Sequence, residues 1–299
     1  MEKAAKVSSA WSTFAHSVES ILVLFKLRVV GLLVLSSLGG ALLASGGTIR
    51  WESLLLLIVS GTLSAAGASA LNQYLERESD AQMKRTRRRP LAVGGVPRSE
   101  SVLHIGLSLI VIAVMIALPF NLELAFFVAL GALIYVGVYT VWLKPRTVLN
   151  IVIGGAAGSC AVLSGSAAAG QWAHPTAVAL AGLVFVWTPI HFWSLAQAYR
   201  DDYARVNMPM LPVLISDRAS ARWIALHAGA AAVSALAMIA DETLGAWYAI
   251  PVLAATAWLV WHTVQLLRTP TGAQAFRLFL TSNIYLTVVL LAIFLGTLF

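Results

Sequence analysis

SLLLLIVSGTLSAAGASALNQYLERESDAQMKRTRRRPL, residues 53–91, changes character once. Its first part, about 53–75, is apolar and small-residue sequence of a length that crosses a bilayer, which takes roughly 17 to 25 helical residues for about 30 Å of hydrocarbon. From Asn72 onward, acids and bases crowd onto the end of that run. Ionisable groups near membrane depth are costly and tend to mark function, so this span end is the first place to look for chemistry.

Eight further runs of spanning length lie at about 27–45, 102–118, 122–142, 148–168, 176–198, 221–239, 244–266 and 276–297. The whole chain agrees with them, with 59% hydrophobic residues, 11% charged and a mean hydropathy of +0.83. Soluble domains carry about 25% charged residues. The expected fold class is all-α, a polytopic membrane protein with nine transmembrane helices in a single domain over 27–299. Residues 1–26 form a separate cytoplasmic or interfacial segment, in which Trp11, Phe14, Val18, Ile21, Leu22 and Phe25 have the helical spacing of an interface helix. Residues 8–25 are too polar for the core of a cleavable signal, and none is expected.

A net charge of +7 raises the question of nucleic acid, which the distribution of the basic residues answers. Numbering loops alternately from the amino terminus puts Lys3, Lys6, Lys26, Arg28, the run Lys84 to Arg98, Lys144, Arg146, Arg200, Arg205, Arg218 and Arg222 on one side. Of 20 Lys and Arg, only Arg50 falls in a loop on the other, where Glu52, Glu123, Asp241 and Glu242 lie. Basic loops stay cytoplasmic. The expectation is therefore a multi-pass protein of the cell inner membrane, amino terminus cytoplasmic, carboxyl terminus outside, with the lipid bilayer and not nucleic acid as its large partner. A single cysteine, Cys160, sits inside the fifth span, and no thiolate metal site is expected.

Asn72, Glu76 and Asp80 are spaced i, i+4, i+8, which stacks their oxygens on one face if the second helix continues beyond the membrane surface. Mg²⁺ is typically held by one or two carboxylates together with substrate phosphates, so the stripe suits a metal diphosphate. Lys84, Arg85 and Arg89 follow at once, and guanidinium groups pair bidentately with phosphate oxygens. The plain alternative for this basic run is a topogenic loop; the adjoining acids favour the phosphate site. A second cluster, HFWSLAQAYRDDYARVNMPMLPV (191–213), carries Asp201 and Asp202 four spans later, hence on the same membrane side, where both clusters can meet in one cytoplasmic cavity. The alternative for these two aspartates is a solvated pair balanced by Arg200 and Arg205.

MKRTRRRPL (83–91), YTVWLKPRTVLNIVIGGAAG (139–158) and TPIHFWSLAQAYRDDYARVNMPMLPV (188–213), in this order and spacing, resemble the heme O synthase family of the intramembrane prenyltransferases, with similarity from about Arg28 to the last span. There are departures: Lys26-Leu27-Arg28 where the family usually reads Lys-Pro-Arg, Pro189-Ile190 for Pro-Pro, and Val206-Asn207 for Ala-Gly. The second cluster also lacks the Asp-x-x-x-Asp of quinone-type relatives.

The resemblance implies nine helices around a central cavity open to the cytoplasm and a Mg²⁺-dependent transfer of farnesyl from farnesyl diphosphate to a vinyl group of heme b. Water is added, and heme O and diphosphate are formed. It implies metal on Asn72, Glu76, Asp80 and Asp202, with Asp201 the alternative to Asp202. Diphosphate falls to Lys84, Arg85 and Arg89, with Arg28, Lys144 and Arg146 able to contact diphosphate or heme propionates, and heme to His191 as axial ligand, with Trp187, Phe192 and Trp193 offering flat apolar surface. Heme A synthase is the implied downstream partner. Competing readings are a prenyltransferase for a quinone precursor or chlorophyll-type acceptor, and a non-catalytic heme transporter.

Overall fold

The computed structural model describes residue 20, residues 22–96 and residues 99–299. Trp11, Phe14, Val18, Ile21, Lys3, Lys6 and Arg98, and with them most of the expected interface helix, lie outside the described residues. Among the described residues nine helices are long and apolar enough to cross a membrane. They are α1 (Leu27–Ser45), α2 (Trp51–Gln82), α3 (Glu100–Ala117), α4 (Leu122–Leu143), α5 (Asn150–Ala168), α6 (Pro175–Ala198), α7 (Asp217–Ala240), α8 (Gly245–Arg268) and α9 (Gly272–Leu298). Two short helices, Arg200–Arg205 and Leu211–Leu214, fill the connection from α6 to α7.

Small residues decide how these helices pack. Lipid tails are as apolar as leucine, so helices in a membrane gain from close backbone approach rather than from burying grease. Between α1 and α5 the approach is extreme: a Cβ added at Gly165 would lie 1.7 Å from the Ser37 carbonyl oxygen, and one at Gly40 would lie 2.2 Å from that of Val162. The largest core cluster joins α6, α7, α8 and α9 through Leu183, Ile224, Leu259, Tyr285 and their neighbours. A second one ties α2, α3, α4 and α5 through Leu57, Ala113, Leu124 and Ala167.

Three local features shape the end of the bundle where α2 terminates. Helix α2 runs for 32 residues, well beyond its apolar part, and so carries Asn72, Glu76 and Asp80 on one continuous helix. Helix α4 is α-helical over Leu122–Ala132 and π-helical over Leu133–Leu143. Its wider i→i+5 turn is a rare geometry that recurs at functional sites, and it brings Tyr135, Tyr139 and Lys144 onto the cavity side. Lys26, ahead of α1, has φ 47. That left-handed conformation costs a non-glycine residue about 1 kcal/mol or more, and Gln73 holds the preceding turn by donating from Nε2 to the Val23 and Leu24 carbonyls, each at 2.7 Å.

Candidate active site

A cavity of about 560 Å³ is lined by α1, α2, α4, α5, α6 and α9 and by the chain after α2. Asn72, Glu76 and Asp80 all face it, and each has a cationic partner. Lys26 Nζ donates to Asn72 Oδ1 at 2.6 Å. Lys144 forms a largely buried ion pair with Glu76, and Arg89 Nη1 lies 2.6 Å from Asp80 Oδ2. The Asn72 amide is oriented from its other end, since Nδ2 donates to Thr140 Oγ1 at 3.1 Å and that hydroxyl donates to the Tyr135 carbonyl at 2.8 Å. The i→i+5 turn of α4 therefore aims the Asn72 oxygen at the cavity.

Aromatic rings line this polar end. Tyr135 and Tyr139 stack with centroids 5.8 Å apart. Lys26 Nζ lies 5.9 Å from the Tyr135 centroid and Lys144 Nζ 5.3 Å from that of Tyr139. Burial, with the Arg89 charge nearby, pushes Lys26 down to about 7. Burial also opposes the charge on Lys144, but the Glu76 carboxylate outweighs it and holds Lys144 protonated well above the usual lysine range.

The two polar clusters do meet. The backbone N–H of Arg85 donates to Asp202 Oδ2 at 3.1 Å, and Arg85 Nη2 reaches the Tyr203 hydroxyl at 3.5 Å. Asp202 is buried and lies 3.6 Å from Arg205 Nη1. Arg205 also donates to the Gln82 carbonyl at the end of α2. Asp202 thus holds the loop after α2 rather than lining the cavity, whereas Tyr203, Met208 and Met210 line it. Asn207, where Gly is common in the resembled family, adopts φ 51, a left-handed conformation that Asn tolerates better than other side-chain-bearing residues.

Other expected residues fall on and off this wall. Arg28, Arg85, Arg89, Lys144 and His191 line the cavity. Asp201 and Lys84 are exposed and do not. Arg146 is exposed and turns back on its own helix, donating to the Val141 and Trp142 carbonyls at 2.8 Å, where a cation complements the negative helix end. Trp193 is buried on the opposite side of α6, edge-on to His227 at 5.1 Å. Trp187 takes the cavity position, stacked on His191 at 4.7 Å. Helical spacing held that signal: 187 and 191 share a face, and 193 does not. Lys26, Tyr135, Tyr139 and Tyr203 were not singled out as site residues from the sequence.

Residues 33–295 match the UbiA prenyltransferase family. The chain belongs to this family. Protoheme IX farnesyltransferase from Metallosphaera sedula is 40% identical over 272 residues, covering 91% of this chain and 94% of that protein. The one from Sulfurisphaera tokodaii is 40% identical over 274 residues, 90% of each chain. The fold matches a structure from work on digeranylgeranylglyceryl phosphate synthase with a TM-score of 0.78 at 17% identity, covering 94% of this chain and 99% of that one. A UbiA homolog from Archaeoglobus fulgidus bound to GPP and Mg²⁺ matches with a TM-score of 0.61 at 13% identity, covering 92% and 99%. As a UbiA-family chain with nine helices of spanning length and composition among its described residues, the protein is a multi-pass membrane protein.

The donor set of this UbiA-family cavity fits Mg²⁺ in one particular way. Among the described residues no three His, Cys, Asp or Glu side chains gather into a metal cage. Mg²⁺ bound with a diphosphate requires less, one or two carboxylates and several waters beside the phosphate oxygens. Glu76, Asp80 and Asn72 Oδ1 are hard oxygen donors of that kind, and each already attracts a positive charge.

Proposed function

We propose that this protein transfers the farnesyl group of farnesyl diphosphate to a vinyl group of heme b, with addition of water, giving heme O and diphosphate. What carries the proposal is that one cavity is lined by Glu76, Asp80, Arg85 and Arg89 near the end of α2 and by His191 and Trp187 of α6. A leaving-group site and a flat, imidazole-bearing acceptor site share one apolar wall. The curated relatives at 40% identity over nine-tenths of the chain are protoheme IX farnesyltransferases, which supports the same acceptor.

Mg²⁺ is the cofactor in this proposal, held by Asn72, Glu76 and Asp80 together with the diphosphate. Bound there it would neutralise the charge that grows on diphosphate as the allylic C1–O bond breaks. Arg85 and Arg89 bind the phosphate oxygens, Lys26 and Lys144 add positive charge from α1 and α4, and Arg28 stands at the mouth. Preorganised cations of this kind stabilise the transition state more than the ground state. Asp202 fixes the Arg85 backbone and serves the diphosphate through it.

At the other end His191 ligates heme iron, an arrangement suited to neutral imidazole, and Trp187 offers the porphyrin a flat face. Carbon C1 bonds to the vinyl carbon, the carbon left cationic beside the ring takes a water oxygen, and that water loses a proton. The apolar wall of the cavity accommodates the farnesyl chain and keeps water from C1.

Residues 27–299 act as one domain of the cell inner membrane with residues 1–26 at its cytoplasmic surface, and the nine spans of the described residues leave the carboxyl terminus outside in this proposal. The heme O formed is a substrate for heme A synthase, the proposed downstream partner.

Purified protein incubated with heme b, labelled farnesyl diphosphate and Mg²⁺ tests the proposal. Porphyrin heavier by one farnesyl group and one hydroxyl is the expected product. Label entering a quinol or aromatic acid and never heme would overturn it.

A further inference from the structure

Ser282 of α9 touches two of the cavity aromatics of α6, Trp187 and His191. Its hydroxyl oxygen lies 3.2 Å from His191 Nδ1, and its carbonyl accepts the Trp187 indole N–H at 2.7 Å. The same hydroxyl lies 2.7 Å from the Phe279 carbonyl oxygen. A carbonyl can only accept, so the single serine proton is committed to Phe279. Toward His191 the Ser282 oxygen has only lone pairs to offer, and His191 Nδ1 must carry the proton of that contact.

A neutral imidazole protonated at Nδ1 keeps its free lone pair on Nε2. The ring plane is constrained as well, since Trp187 and Phe279 lie with centroids 4.7 Å and 4.5 Å from that of His191. Ser282 itself is fully buried, so bulk water does not compete for the contact.

We infer that Ser282 is a positioning residue that fixes His191 in the Nδ1–H tautomer and thereby presents the Nε2 lone pair to heme iron. The inference rests on the proposed heme-binding role of His191. It gives α9, which carries none of the charged residues of the site, a direct part in acceptor binding. Partners of this kind on metal-bound histidines raise ligand basicity, and losing them typically costs about 10- to 100-fold in metal affinity.

The experiment uses the full chain, labelled with ¹⁵N-histidine in lipid nanodiscs, first without heme and then titrated with it. His191→Gln identifies the His191 signals. In the heme-free protein the ring shifts of His191 should report protonated Nδ1 and unprotonated Nε2. Ser282→Ala should shift the tautomer balance toward Nε2–H and weaken heme binding about 10-fold or more, with an altered heme absorption spectrum. Ser282→Thr, which keeps the hydroxyl, should restore both, and in every variant Trp187 retains its backbone acceptor as a check on packing. A wild-type ring protonated at Nε2, or a tautomer unmoved in Ser282→Ala, overturns the inference. If His191→Gln leaves the heme spectrum unchanged, the iron-binding role of His191 is lost whatever the tautomer. The farnesyl transfer assay then decides separately whether heme is the acceptor.

Discussion

The backbone N–H of Arg85 donates to the Asp202 carboxylate across 3.1 Å, joining the loop after α2 to the short helix Arg200–Arg205. An asparagine keeps an oxygen acceptor for this bond and alanine does not. Asp202→Asn should leave the KM for farnesyl diphosphate within about threefold of wild type. Asp202→Ala should raise it about tenfold, the equivalent of one buried hydrogen bond. Equal loss in both variants would point to the charge of Asp202 and away from its grip on the loop.

Lys144 and Glu76 form a largely buried pair, so removing one partner strands the other. Lys144→Met should destabilise the protein by about 3 kcal/mol, the low end for a broken buried pair because this one faces a cavity. Adding Glu76→Gln should return most of that stability while activity stays lost. Thermal inactivation in detergent, run as a double-mutant cycle, reads the coupling.

Glu76→Gln and Asp80→Asn each leave a side chain of nearly the same size in the stripe while removing a carboxylate. Each should cut Mg²⁺-dependent binding of a non-hydrolysable farnesyl diphosphate analogue by at least about tenfold. Calorimetry with and without Mg²⁺ measures it. Chelating Mg²⁺ from the wild type should abolish turnover, and restoring it should recover activity. Full activity in the chelated protein would remove the metal from the mechanism.

Gly165 and Gly182 make a matched pair for stability. A Cβ at Gly165 meets the Ser37 carbonyl oxygen, whereas one at Gly182 meets nothing within 4 Å. Gly165→Ala should cost about 3 kcal/mol or more, since overpacking here is against backbone. Gly182→Ala should be neutral or stabilising by about 0.5 kcal/mol, from helix propensity. Thermal inactivation of the two variants in one detergent makes the comparison.

The nine spans among the described residues were legible because each is a predominantly apolar run of spanning length, and even the extension of α2 was signalled by three oxygens at four-residue spacing. What the sequence concealed depends on contacts made elsewhere. Nothing in Leu133–Leu143 marks an i→i+5 turn, which is sustained by Thr140 meeting both Tyr135 and Asn72. Asp201 and Asp202 are neighbours of equal chemistry, and only the packing of their short helix exposes one and buries the other. Lys26 looked like one more cytoplasmic charge; a left-handed turn held by Gln73 is what brings it to Asn72. Trp187 over Trp193 was within reach of helical spacing alone.

The cations seated on Asn72, Glu76 and Asp80 bear on how the donor arrives. With each oxygen already answered by a lysine or arginine, a lone divalent ion meets a stripe whose charge is largely cancelled and gains little by displacing anything. A metal diphosphate would bring both signs together. In the proposed Mg²⁺-dependent site, Asn72, Glu76 and Asp80 would hold the metal while the displaced ammonium and guanidinium groups turned to the phosphates, so that every broken pair would be replaced. Binding on these terms would be a partner exchange that only the complete donor could complete, and the pairs that quiet the site would also select what opens it.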